Sequence, residues 1–272
     1  MNILELPRKD INFDNYKQRS AIESDYSTLL TEPCYVYDKD TGGLVFTYDT
    51  LDGKLESAPM TRALQRIKYH SDARTSGMTS RSRVFGFLPR NTVRRDFCTV
   101  AAMAKDFPAE HAVLCDYAEH VDKLYREHNP ALRSVHEGLN ADNLQKQYAI
   151  GSSVFTSGIA NYNNPLAYHF DAGNYAHVWS VMLVYKRGVE GGYLAVPEYD
   201  VGVELADNSI FMFDGQRVLH GVTPITKTKR NGYRFSVVYY SMAGMWQCLT
   251  VDEELIRIRK LKTEREHKRV DS

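Results

Sequence analysis

Two residues of metal-binding type stand one position apart in the stretch YHFDAGN, residues 168–174. On an extended segment His169 and Asp171 leave the same face, because side chains alternate along a strand. A third ligand is then expected from a neighbouring strand, and His220, which follows SIFMFDGQRVL, qualifies. Two imidazoles and one carboxylate on one side of a metal leave three positions open. That donor set is expected of a non-haem Fe(II) oxygenase, whose free positions accept a bidentate keto acid and O2. His169, Asp171 and His220 are therefore candidate iron ligands and catalytic residues. An H-x-D pattern alone is common, and a distant histidine is more often structural.

Arg234 narrows the reading. It lies 14 positions beyond His220, in YRFSVVYYS, where Phe235, Val237 and Val238 imply a mostly buried strand. A guanidinium in such a strand suits bidentate pairing with the distal carboxylate of a keto acid. Ser236 shares its face and can add a hydrogen bond. Tyr239 and Tyr240 point to opposite faces, so only one of them can line a pocket.

Elements must hold these residues in place. From Gly151 onward SSVFTSGIANY, HVWSVMLVYKR, GYLAVPEY, SIFMFDG and YRFSVVYYS are β-branched and aromatic runs of strand length, punctuated by Asn, Gly, Pro or Asp. No helical spacer separates them, which predicts an antiparallel sandwich or barrel rather than a doubly wound sheet. Gly191-Gly192 reads as a turn between two of them. Upstream, Tyr35–Tyr37 and Leu44–Tyr48 read as a hairpin, and a short helix is expected near Pro59. Residues 72–82 read as an exposed loop. Val113, Leu114, Tyr117, Val121, Leu124 and Tyr125 fall at helical spacing between Pro108 and Pro130. A further short helix is expected over 138–147, and the mixed-charge tail after Asp252 reads as a solvated helix. The 272 residues form one domain in this reading: a hairpin and helical support region (1–150), a sheet core (151–245) and a helical tail (246–272).

At HFDAGN, LHGVTP and RFSVVYY the chain resembles the iron(II)/2-oxoglutarate dioxygenases, over residues 151–242. Within them it looks like the branch of the ten-eleven translocation 5-methylcytosine oxidases and the base-J thymine hydroxylases. The resemblance implies an α+β fold with a double-stranded β-helix (jelly-roll, cupin-like) core covered by N-terminal helices. It implies Fe(II), 2-oxoglutarate and O2 as cofactor and co-substrates, and succinate and CO2 as products. It assigns Arg234 and Ser236 to the far carboxylate of 2-oxoglutarate, Asn174 to a hydrogen bond with a flipped base, and Tyr240 to stacking on that base. Where the animal enzymes have a base-reading His this sequence has Met242, and their Cys-rich zinc-binding region is missing. The implied substrate is a 5-methylpyrimidine in DNA. The alternatives are hydroxylation of a small molecule or a protein side chain, and a non-catalytic binding protein on the same fold. As bare residues, Asn174 after Gly173 is also good turn chemistry, and His177 and Trp179 read as packing or rim residues.

Lys+Arg and Asp+Glu both total 34, so overall charge does not mark a nucleic-acid binder. Locally the balance differs: no acidic residue lies between Asp72 and Asp96, whereas Arg74, Arg81, Arg83, Arg90, Arg94 and Arg95 do. That loop is a candidate contact for a phosphate backbone. Arg83, ahead of VFGFL, is a candidate for the C1 carboxylate of 2-oxoglutarate. The four cysteines, Cys34, Cys98, Cys115 and Cys248, show no CxxC pairing and read as reduced thiols. Neither a signal peptide nor a membrane span is recognisable, so a cytoplasmic protein is expected.

Overall fold

Alternation decides the layering of this chain. In the strand Ser180–Arg187, Val181, Leu183 and Tyr185 turn to one face, while Met182 and Val184 turn to the other. Both sets are buried, because the strand lies in the middle of a sheet covered on both sides. In the computed structural model, which describes residues 1–69, 71–73, 79–91 and 96–270, the major sheet runs Asn2–Leu6, Cys34–Asp38, Leu44–Thr50, Ser209–Phe213, Ser180–Arg187, Tyr233–Tyr240, Ser157–Tyr162, Thr79–Leu88 and Ser71–Ala73. The minor sheet runs Thr28–Leu30, Val201–Val203, Leu194–Val196, His220–Val222 and Leu166–His169. The two face each other as an α+β jelly roll, with Met182, Val184, Phe211 and Phe213 packing on Leu194, Val196 and Val222. The sheet is continuous across residue 150, since Leu44–Thr50 pairs with Ser209–Phe213 and Thr79–Leu88 pairs with Ser157–Tyr162.

The outer face of the major sheet is covered by helices. Pro108–His128 buries Leu114, Tyr117, Val121, Leu124 and Tyr125 on one side, as their spacing requires. Tyr125 stacks on Trp179, so Trp179 is a packing residue of the core. The hairpin, the helix at Ala58–Arg66, the strands within the five expected runs and the terminal helix Val251–Val270 all form.

Several expectations change. The helix anticipated over 138–147 spans Pro130–Asn143, because Asn129-Pro130 is a start signal: Asn129 Oδ1 accepts from Leu132 N at 3.1 Å, and Pro130 takes the first turn. The supposed loop 72–82 contributes strand at Ser71–Ala73 and from Thr79 onward. Residues 74–78 lie outside the described residues. Among the described residues six further strands of three or four residues escaped notice, Leu166–His169 and His220–Val222 with them, since so few residues carry too little alternation to register. The terminal helix is not solvated throughout: Glu254 is buried and paired with Arg90, Nε to Oε1 at 2.9 Å. Cys98 and Cys248 form a disulfide, with 5.7 Å between their Cα atoms, leaving Cys34 and Cys115 free. The pair was invisible in sequence because 150 positions separate its members. Among the described residues no helix is long and apolar enough to cross a membrane.

Candidate active site

The strands Leu166–His169 and His220–Val222 run antiparallel, and their register sets His169 directly across from His220. The two rings face each other with centroids 4.3 Å apart. Just past the first strand, Asp171 N donates to the Gly215 carbonyl at 2.8 Å, which folds the chain back over the second. Asp171 Oδ1 thereby lies 3.7 Å from His169 Nε2 and 3.9 Å from His220 Nε2. The three ligand atoms sit within 4.8 Å of one another, so the structure brings together the three residues singled out in sequence.

Both imidazoles are oriented by main chain. His169 Nδ1 is 2.8 Å from the Ala167 carbonyl, and His220 Nδ1 is 2.9 Å from the Val218 carbonyl. A carbonyl only accepts, so each Nδ1 carries a hydrogen and each Nε2 is the atom turned to the side of Asp171. Burial, and after it the neighbouring His169, pushes the His220 imidazole down to about 4, which leaves it neutral near pH 7. Two imidazole nitrogens and a carboxylate oxygen suit a divalent first-row metal. Phe213 meets the His220 ring edge-on at 4.7 Å and restricts its rotation.

Sequence reading passed over Gly215. A Cβ there would overlap Asp171 Oδ2 and stand 3.0 Å from Cγ, so the carboxylate can swing toward the histidines only past a glycine. Its signal, an Asp-Gly before the His220 strand, is indistinguishable from ordinary turn chemistry.

A cavity of about 360 Å3 opens between the sheets at this triad. Along the strand Tyr233–Tyr240, the residues Ser236, Val238 and Tyr240 line it, whereas Phe235, Val237 and Tyr239 turn to the helices. Tyr239 is spent on the core, its hydroxyl donating to the Leu114 carbonyl at 2.8 Å. Arg234 ends the pocket-facing row, one step beyond the lining. It is 2% exposed, Nη2 has no partner, and no carboxylate pairs with it among the described residues. Burial alone pushes its guanidinium down to about 10. Gly192, at φ +70°, backs onto its stem, and a Cβ there would press on Arg234 Cδ at 2.8 Å. A buried cation with an empty hydrogen-bonding edge fits a carboxylate ligand.

Asn174 and Met242 also line the cavity, bridged to each other through their backbones. Asn174 Nδ2 donates to Ser180 Oγ at 3.1 Å, and its carbonyl accepts from Gln216 Nε2 at 2.9 Å, so it is more than a turn residue. Arg83 is a correction. Its register partner is Ala160, which faces the helices, and its Nε donates to the Lys68 carbonyl at 2.9 Å while its guanidinium lies 5.9 Å from the Phe107 ring centre. It stands on the far side of the sheet from the cavity. Of the Arg-rich stretch, Arg90 is tied to Glu254 and Arg81 is exposed, while Arg74, Arg94 and Arg95 lie outside the described residues. His177 is exposed beside Arg217 and does not line this cavity.

Residues 89–243 match the family Tet_JBP, described as the oxygenase domain of the 2OGFeDO superfamily. The bifunctional helicase and thymine dioxygenase JBP2 of Leishmania infantum and that of Leishmania major are each 27% identical to the chain over 143 residues. Those residues are 53% of this chain and 13% of each relative's length. NgTET1, solved in complex with 5mC DNA, superposes with a TM-score of 0.57 at 15% identity, over 82% of this chain and 84% of that one. This last likeness is one of fold.

Proposed function

The chain belongs to the Tet_JBP family of oxygenase domains, and from that premise we propose that it is an Fe(II)- and 2-oxoglutarate-dependent dioxygenase that hydroxylates the 5-methyl group of a pyrimidine, 5-methylcytosine or thymine, in DNA. One observation carries the reading. A two-imidazole, one-carboxylate cluster opens into the same pocket as a strand that carries at one end a buried Arg234 whose guanidinium has no acidic partner among the described residues. The choice of substrate is supported by the thymine dioxygenase named among the relatives and by the 5mC DNA bound to the structural neighbour.

Bound iron with 2-oxoglutarate and O2 supplies an oxidant able to break an unactivated C–H bond, with succinate and CO2 as co-products. In this reading His169 Nε2, His220 Nε2 and an oxygen of Asp171 hold the iron. Arg234 grips the far carboxylate, neutralising a charge that would otherwise be costly to bury. Ser236 donates beside it. Aliphatic walls from Leu166, Leu194 and Val222 exclude water from the reacting centre. Asn174 offers an amide to the polar edge of the base, and Tyr240 a ring to its face. A base in duplex DNA has to leave the stack to reach them, at a cost of a few kcal/mol.

The test is to incubate the protein with Fe(II), 2-oxoglutarate and DNA containing 5-methylcytosine or thymine, then to digest and weigh the nucleosides. A hydroxymethyl nucleoside that disappears in His169→Ala is the expected result. Turnover of 2-oxoglutarate without one would move the substrate to a small molecule or a protein side chain.

A further inference from the structure

Two polar side chains of the pocket, Asn161 and Asn164, are not used by the metal triad, by Arg234 and Ser236, or by Asn174 and Tyr240. Asn161, on the strand Ser157–Tyr162, stands directly across from Ser236 in the register and lines the cavity at 5% exposure. The two ends of its amide can be told apart from the partners alone. The backbone N–H of Arg81 can only donate, and it meets Asn164 Oδ1 at 3.2 Å. That fixes the oxygen end of Asn164 and turns its Nδ2 toward Asn161, where it donates to Oδ1 at 3.1 Å. The Asn161 oxygen is thus occupied, and the amide nitrogen is the end left over. Among the described residues its one partner is the Ser236 carbonyl at 3.4 Å, the outer limit of a hydrogen bond, so two protons of a buried NH2 are served there by one weak contact.

The surroundings sharpen what is missing. Asn163 Oδ1 accepts from Arg234 N at 2.6 Å, while Asn163 Nδ2 and Arg234 Nη2 are both buried without a partner among the described residues. This end of the pocket is therefore rich in donors and holds a net positive charge, the complement of an anion with several acceptor oxygens. A nucleobase edge mixes donors and acceptors. The residues suited to one, Asn174 and Tyr240, lie at the opposite end, six positions along the strand from Arg234, a span of roughly 20 Å.

We propose that Asn161 binds the co-substrate 2-oxoglutarate, donating from Nδ2 to one of its carboxylates, and that Asn164 is a positioning residue that keeps the amide turned that way. The proposal rests on reading the pocket as a 2-oxoglutarate site, and its test separates the two. Affinity for 2-oxoglutarate is measured by calorimetry on the Mn(II)-loaded protein, and independently by the visible charge-transfer band of the anaerobic Fe(II) complex. Asn161→Ala should weaken binding about 10- to 100-fold, the effect of losing a hydrogen bond to a charged group. Asn161→Asp, of the same size but presenting an acceptor where a donor is needed, should weaken it further. Asn164→Ala should give an intermediate loss, since Asn161 is then free to flip. In turnover, KM for 2-oxoglutarate should rise far more than kcat falls, a split that general loosening of the fold would not produce.

Binding within twofold of wild type in both Asn161 variants overturns the proposal, as does a loss confined to affinity for DNA. Should Asn161→Ala fail to fold by circular dichroism, the isosteric Asn161→Asp decides the matter. A wild-type protein that binds no 2-oxoglutarate overturns the proposed function itself, and this assignment with it.

Discussion

Replacing Arg234 by Met should make the ligand-free protein more stable and its co-substrate binding far weaker. The guanidinium is 2% exposed, has no acidic partner among the described residues and leaves Nη2 unbonded. Its fall from the ordinary arginine range to about 10 in the fold amounts to about 3 kcal/mol. The sign follows from linkage. A base whose affinity for its proton drops on folding destabilises the fold at every pH below both values, so the full penalty is present at pH 7. Met keeps most of the stem volume against Gly192 and removes the charge. Urea unfolding at pH 7 should therefore show Arg234→Met more stable by up to about 3 kcal/mol. Saturating 2-oxoglutarate with Mn(II) should stabilise wild type by a few kcal/mol and the variant much less. A variant less stable than wild type without ligand, or equally stabilised by 2-oxoglutarate, would refute the reasoning that an unpaired charge waits there for a carboxylate.

Gly215→Ala should lower Mn(II) affinity by at least about tenfold in a titration followed by electron paramagnetic resonance, with the far-ultraviolet circular dichroism unchanged, because the new methyl displaces the Asp171 carboxylate. Burial holds His136 down to about 3, so it folds neutral, and stability should fall by about 1.4 kcal/mol per pH unit below 6.5, levelling off near 3. Urea titrations at pH 7, 6 and 5 check this, and His136→Phe should lose that part of the slope. Alkylation of the unfolded, unreduced protein should label Cys34 and Cys115 alone. Reduction of the Cys98–Cys248 link, which closes a loop of 150 residues, should lower stability by up to about 5 kcal/mol in thermal unfolding.

The centre was legible because His169 and Asp171 stand one position apart, so an extended reading predicts a common face, although the strand ends at His169 and the turn onto Gly215 is what brings Asp171 in. Arg234, Ser236 and Tyr240 were legible in the same way, as alternate members of an eight-residue strand. What escaped notice depends on distance in sequence. Gly215 matters only because Asp171 folds over it, and the Asn161–Asn164 relay only because Arg81 arrives from another strand. Arg83 was misplaced because no strand had been read through residues 79–82, and therefore no register to say which face it would take. The cysteine pair belongs with these, since only the docking of the C-terminal segment brings Cys248 to Cys98.

The bonds from His169 and His220 to the carbonyls of Ala167 and Val218 have a consequence for how such a site can change. The group that sets each ring's tautomer is a peptide carbonyl two residues before it in the chain, and no point substitution removes a peptide carbonyl. Side chains elsewhere in the cavity can then be exchanged without disturbing the tautomer of either ligand. Under the proposed function, oxidising power and choice of substrate are then separately heritable traits. A lineage could rewrite Asn174, Tyr240 or Met242, which line the cavity, while the same two nitrogens stay turned to the proposed metal site.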